Sequence, residues 1–301
     1  MTSLERAKLS LDGLSVGDAF GECFFSNPNI VDSLIAQRAI PSAPWRWTDD
    51  TQMAISIANV LERFGEIIPG VLALQFGERY EPGRGYGPAM HDLMREYRRG
   101  GNWEKLAPAM FDGYGSFGNG AAMRVAPLGA FFADDLERVK AEAVTSAKVT
   151  HTHPEGIAGA VAVAVATAFA WQTHGESLTR CEFLQTVLPH VPDSLVADGI
   201  RRAARLEARD VRTAVSALGN GSQVSAQDTV PFSLWCAGTY LDNYEEALWL
   251  TVSGLGDRDT TCAIVGGILA MRTSIPASWL AARESLTGKM TDWDCGKIIA
   301  G

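Results

Sequence analysis

Strand-period alternation is nearly missing from this 301-residue sequence. Its best example is "TVPFSLWC" at 229–236, which could equally begin a helix. That scarcity excludes sandwiches and barrels, which need many short alternating segments. Positive charge is also short: 26 Lys and Arg stand against 35 Asp and Glu, a formal net charge of −9. A general polyanion-binding surface, for nucleic acid in particular, is therefore not expected. The five cysteines (Cys23, Cys181, Cys236, Cys262 and Cys295) are odd in number and show no CxxC spacing. A disulfide framework and a zinc knuckle are both excluded, and reduced thiols in a cytoplasmic protein are expected. The opening "MTSLERAKLS" lacks a basic segment followed by an apolar one, so no signal peptide is expected.

Linkers and repeats are absent too. No Pro/Ser-rich stretch or charge block divides the chain, and no period of 20–50 residues recurs. One domain spanning 1–301 is the expectation. A single long run is free of charge, "GIAGAVAVAVATAFAWQT" at 156–173. Half of it is Ala and Gly, which insert weakly into lipid, and it has no basic flank. A central helix of a helical protein fits it better than a membrane span.

What is present is helical periodicity and a large apolar fraction, 47% of residues. Helices are expected over 3–24, 51–64, 67–80, 88–97, 135–150, 156–174, 196–206, 211–218, 243–252 and 260–272. The fold class that follows is all-α. Gly13, Gly17 and Gly21 recur every four residues on one face of the first helix. Each costs about 0.5–1 kcal/mol relative to Ala, and together they let another helix come close.

Polar residues gather at helix boundaries. "WTDDTQMA" places Thr48, Asp49 and Asp50 at the start of one apolar helix, and "GLGDRDTT" places Asp257, Asp259 and Thr260 at the start of another. Helix capping is the simple explanation, but it needs one such residue at each end, or two. Four carboxylates and two hydroxyls also form an all-oxygen ligand set, which suits hard cations such as Mg²⁺ or Mn²⁺. "PGRGYG" (82–87) and "GSFGNGAAMR" (115–124) are turns that could also cradle phosphate with backbone N–H groups. Tyr86 and Phe117 could stack on a base, and Arg84 or Arg124 could pair a phosphate. His151 and His153 serve equally well as helix-end caps or as donors to a substrate.

These motifs, in this order, resemble the ADP-ribosylglycohydrolase family: "GLSVGDAFGE", "WTDDTQMA", "PGRGYG", "GSFGNGAAMRVAPLG", "THTHPEGIAGA" and "GLGDRDTTCAIVGG", from about residue 10 to about 272. The resemblance implies an orthogonal helical bundle with two divalent cations, Mg²⁺ or Mn²⁺, at the base of a cleft. It makes Thr48, Asp49, Asp50, Asp257, Asp259 and Thr260 the ligands. It assigns ADP-ribose to Ser116, Phe117, Gly118, Asn119, Gly120 and His151, with Gly85, Tyr86 and Gly87 near the phosphates. The implied activity is release of ADP-ribose from an N- or O-glycosidic conjugate, an ADP-ribosylated protein among the partners. A non-catalytic ADP-ribose binder or a crystallin-like structural protein is the alternative. Many members carry a glutamate several residues beyond the GDAxG motif, where this chain has Phe24 and Phe25. Glu22 is the carboxylate nearest that position, so Glu22 and Asp50 are the expected proton carriers.

Overall fold

The computed structural model describes residues 1–25, 28–207 and 210–287, with the side chains of residues 28 and 29 left out. Cys295 and the rest of 288–301 lie outside the described residues. In chain order the helices are α1 (Ser3–Glu22), α2 (Pro28–Ala36), α3 (Asp49–Phe64), α4 (Pro69–Arg79), α5 (Pro88–Arg98) and α6 (Trp103–Ala109). Then come α7 (Ala126–Phe131), α8 (Leu136–Lys148), α9 (Pro154–Gln172), α10 (Arg180–Val187) and α11 (Leu195–Arg205). The last five are α12 (Val211–Leu218), α13 (Ala226–Thr239), α14 (Tyr244–Ser253), α15 (Arg258–Leu269) and α16 (Ala277–Ala282). Strand pairing among the described residues is limited to two isolated bridges, Trp45 with Arg283 and Gly118 with Ser225. The fold is all-α.

An early helix and a late one meet at the centre of the described residues. α1 and α15 pack along most of their lengths, and the three glycines are the reason. A Cβ on Gly13 would fall 2.4 Å from the Gly266 carbonyl oxygen. One on Gly17 would fall 2.1 Å from that of Cys262, and one on Gly21 2.2 Å from that of Arg258. Only glycine permits backbones this close. Opposite them, Gly266 returns the favour, since its own Cβ would lie 2.4 Å from Gly13 O. α3 flanks α1, so the N-termini of α3 and α15 both sit near the C-terminal end of α1.

The uncharged run forms α9, which is long and apolar enough to cross a membrane by length and composition. Here it is buried between α7, α8 and α13, and most of its alanines have no exposed surface. The segment 229–236 is helical, inside α13. Pro231 would bar it from a central strand, and its ring instead packs where a Cβ on Gly199 would fall, 2.4 Å away.

Candidate active site

Beneath the convergence of α3 and α15 with α1 lies a cavity of about 580 Å³. Its walls include Asp49, Asp50, Asp257, Asp259 and Thr260 from the two acidic helix starts. They also include Gly85 and Gly87, the loop from Ser116 to Gly120, and His151. Segments more than 200 residues apart in sequence thus enclose one space.

The first acidic set is held by a residue that sequence reasoning left out. Asp18 is fully buried on α1 and accepts from both Thr48 and Thr51. The Thr48 N–H donates to its Oδ2 at 2.9 Å, the Thr51 N–H donates at 3.1 Å, and both threonine hydroxyls donate as well. Thr48 caps α3, its hydroxyl oxygen accepting from Asp50 N, so part of the capping interpretation is correct. It does not extend to the carboxylates. Asp257 starts α15 without capping it, and accepts from Asn119 Nδ2 at 2.7 Å instead. Asp50 Oδ1 and Asp259 Oδ1 are buried and have no hydrogen-bond partner.

The charges are unbalanced. Asp18, Asp50 and Asp259 bring one carboxylate oxygen each within 4.8 Å of one another. Burial raises the Asp18 carboxyl to about 6. Burial and the Asp18 charge raise Asp49 to about 8. Asp50 and Asp259 lie well above the usual range, from burial first and then from neighbouring carboxylates. The Thr48 hydroxyl sits 2.9 Å from Asp18 Oδ1 and 2.8 Å from Asp50 Oδ2, with one hydrogen to give. A proton or a cation is needed to complete such a cluster. Hard, all-oxygen donors with two orphaned buried oxygens fit a divalent cation of the Mg²⁺ or Mn²⁺ kind.

The remaining walls are built from glycine. Gly85 takes a left-handed φ of +93°, and a Cβ there would lie 3.4 Å from Asp49 Oδ1. Gly118 and Gly120 lie over His151, where a Cβ on Gly120 would come within 2.9 Å of the ring. His151 is buried, and burial holds its pKa down at about 3, so the ring is neutral. Arg124 Nη2 donates to Thr150 Oγ1, leaving the Thr150 hydroxyl hydrogen for His151 Nδ1 at 2.7 Å. Giving each hydrogen an acceptor puts the ring proton on Nε2, beside the glycine loop. Phe117 lies at the mouth, 46% exposed, free to cover a flat ligand.

Several residues singled out in the sequence stand outside the cavity wall. Tyr86 does not line the cavity: its ring is buried against Tyr80 and His91, and its hydroxyl donates to Gln52. Arg84 is not available to a phosphate, because it pairs with Glu284 and lies 3.3 Å over the Trp47 ring. Arg124 is fully buried behind the site. His153 caps α9 by accepting from Glu155 N. Glu22 is half-buried at the end of α1 and is not part of the cavity wall. Conversely, Phe111 and Val224 line the mouth with left-handed φ values of 52° and 51°, which a β-branched residue rarely adopts. Single apolar loop residues carry no sequence signal for such a role.

A profile described as ADP-ribosylglycohydrolase matches residues 1–295. The chain belongs to the ADP-ribosylglycohydrolase family. Among its relatives, an uncharacterized protein of Archaeoglobus fulgidus is 33% identical, over 92% of this chain and 90% of its own length. Human ADP-ribosylhydrolase ARH3 is 28% identical over 94% of this chain and 90% of its own. The ADP-ribosylarginine hydrolase Tri1 of Serratia proteamaculans is 25% identical over 92% and 75%. A solved structure described as an ADP-ribosylglycohydrolase-related protein complex superposes with a TM-score of 0.64 at 24% identity. It covers 96% of this chain and 95% of its own, a likeness of fold. Hydrolase family membership and the all-helical ADP-ribosylglycohydrolase architecture thus rest on the whole chain.

Proposed function

We propose that this glycohydrolase-family chain releases ADP-ribose from an N- or O-glycosidic conjugate with the help of two divalent cations, Mg²⁺ or Mn²⁺. The observation that carries the reading is the pair of buried, unpartnered oxygens, Asp50 Oδ1 and Asp259 Oδ1, at the floor of a cavity walled by the 116–120 loop. Thr48, Asp49, Asp50, Asp257, Asp259 and Thr260 would hold the cations, which supply positive charge to polarise ribose hydroxyls or a water. The 116–120 backbone and the neutral His151 Nε2–H would bind the ADP-ribose, with Phe117 over the base.

For the proton we assign Glu22 or Asp50. Burial and the Asp18 charge raise the Glu22 carboxyl above its usual value, Arg46 opposing, the direction that helps a carboxylate take up a proton. Glu22 is outside the cavity wall, so a water would connect it to the reacting centre. That same placement favours the second reading, a binder of ADP-ribose without turnover. A cytoplasmic setting is proposed as well, supported by the free thiols of the four described cysteines.

ADP-ribosylated arginine and serine peptides, each incubated with Mg²⁺ or Mn²⁺, test the activity by release of free ADP-ribose. Release that Asp259→Ala abolishes is expected. Calorimetric binding of ADP-ribose without release from either peptide would favour the binder.

A further inference from the structure

Asp18 differs from its acidic neighbours in how its oxygens are used. It accepts from the Thr48 and Thr51 amides and from both of their hydroxyls. Asp50 Oδ1 and Asp259 Oδ1, a few ångströms away, have no donor at all. One carboxylate in the cluster is saturated and two stand open. Asp18 also has no freedom to swing. It sits one residue after Gly17, whose missing Cβ lets α1 lie against the Cys262 carbonyl of α15, and it is fully buried.

We propose that Asp18 is a positioning residue: it clamps the Thr48–Thr51 turn from across the helix pair so that Asp50 presents a free oxygen toward Asp259. The proposal rests on the two-cation reading above. Thr48 and Thr51 bracket Asp49 and Asp50, so four donors on either side of the acidic pair fix the first turn of α3. Without the clamp the turn would be free to rotate its carboxylates apart, because they repel one another. An anion is required there, since a neutral acceptor matches fewer of the four donors and binds each more weakly. Groups that orient ligands in this way change cation affinity by about 10–100-fold when replaced.

Calorimetric titration with Mn²⁺ alone, beside thermal melts without metal, tests the assignment on the full chain. Asp18→Asn is expected to weaken Mn²⁺ binding about 10–100-fold. Its metal-free melting temperature should stay near or above wild type, because one of several crowded carboxylates is gone. A purely structural Asp18 would give the reverse, a lower melting temperature with unchanged affinity. Thr51→Val keeps the carboxylate and removes one donor, so a smaller loss of affinity is expected; it decides the matter if Asp18→Asn fails to fold. Wild-type affinity in Thr51→Val would then overturn the clamp. Complete loss of binding in Asp18→Asn, equal to that of Asp50→Ala, would make Asp18 a direct ligand and overturn it also. If the wild type itself binds no Mn²⁺, the two-cation reading fails and takes the clamp with it.

Discussion

Glu22 and Asp50 share the proton-carrying role on paper, and a single-atom change separates them. Glu22→Gln keeps size and polarity but cannot accept a proton, so Mn²⁺ and ADP-ribose affinities should be nearly unchanged. Turnover on the competent conjugate should fall by about 10²–10⁴-fold, the usual worth of general-base assistance. Unchanged turnover would transfer the role to Asp50. His151 supports a second prediction, about pH. Its folded pKa of about 3 lies below the ordinary 6.5, so below 6.5 the unfolded chain takes up a proton that the fold refuses. The stability tied to the neutral ring is complete above pH 6.5 and drains away as pH falls toward 3. Between pH 7 and 5, urea melts should show wild type losing about 1–2 kcal/mol relative to His151→Gln. Parallel curves for the two proteins would show that His151 does not carry this linkage. At this scale the Thr-Asp-Asp and Asp-x-Asp-Thr groups were legible as helix starts holding more carboxylates than capping needs. That Tyr86, Arg84 and Arg124 stand outside the cavity wall was not legible, because a loop sequence does not say which side chains turn inward. Asp18 escaped because a lone aspartate within a helix looks solvated until its four donors are seen.

Helices reveal themselves by repetition, so most long ones were legible and most short ones were not. α12, of eight residues, was expected at 211–218, while α13, of fourteen, was hidden behind the strand-like run at 229–236. α1, α3, α8, α9 and α15 carry enough turns to display a period, whereas α6, α7, α10 and α16 have eight residues or fewer. α2, of nine, went unread as well. The glycine stripe of α1 was legible as a close-approach face, though its partner was not, because nothing local names a helix 240 residues downstream. That contact yields a test at the level of the element. Gly17→Ala pushes a Cβ to 2.1 Å from the Cys262 carbonyl oxygen, where backbone cannot yield cheaply. It should destabilise by at least about 1–3 kcal/mol. The Mn²⁺-induced rise in melting temperature should shrink as well, since α1 holds the start of α3 through Asp18 while α15 carries the second acidic set. Gly70→Ala, in α4 with its nearest neighbour 3.9 Å away, is the control and should be neutral. Equal stability of Gly17→Ala and wild type would mean that the helices separate without cost.

For the molecule as a whole, the site is a measure of completion. Its walls include residues 49, 50, 85, 87, 116–120, 151, 257, 259 and 260, so the proposed cation ligands come together only when distant parts of the chain are in place. Ligand contacts formed late in folding hold back unfolding more than they speed refolding. Mn²⁺ should therefore slow unfolding in stopped-flow urea jumps and leave the refolding rate nearly constant. Faster refolding with an unchanged unfolding rate would place the acidic helix starts in the folding nucleus.

The pairing of α1 with α15 also bears on synthesis. A ribosome makes α1 first and α15 after roughly 240 further residues, an interval of about 12–50 s at typical elongation speeds. Throughout that time the first helix is without the partner its glycines were shaped for, although α3, whose Thr48 and Thr51 cover Asp18, follows it closely in the chain. The glycine face of α1 is thus made long before the helix that covers it, and a chaperone holding the unfinished chain would find that face open.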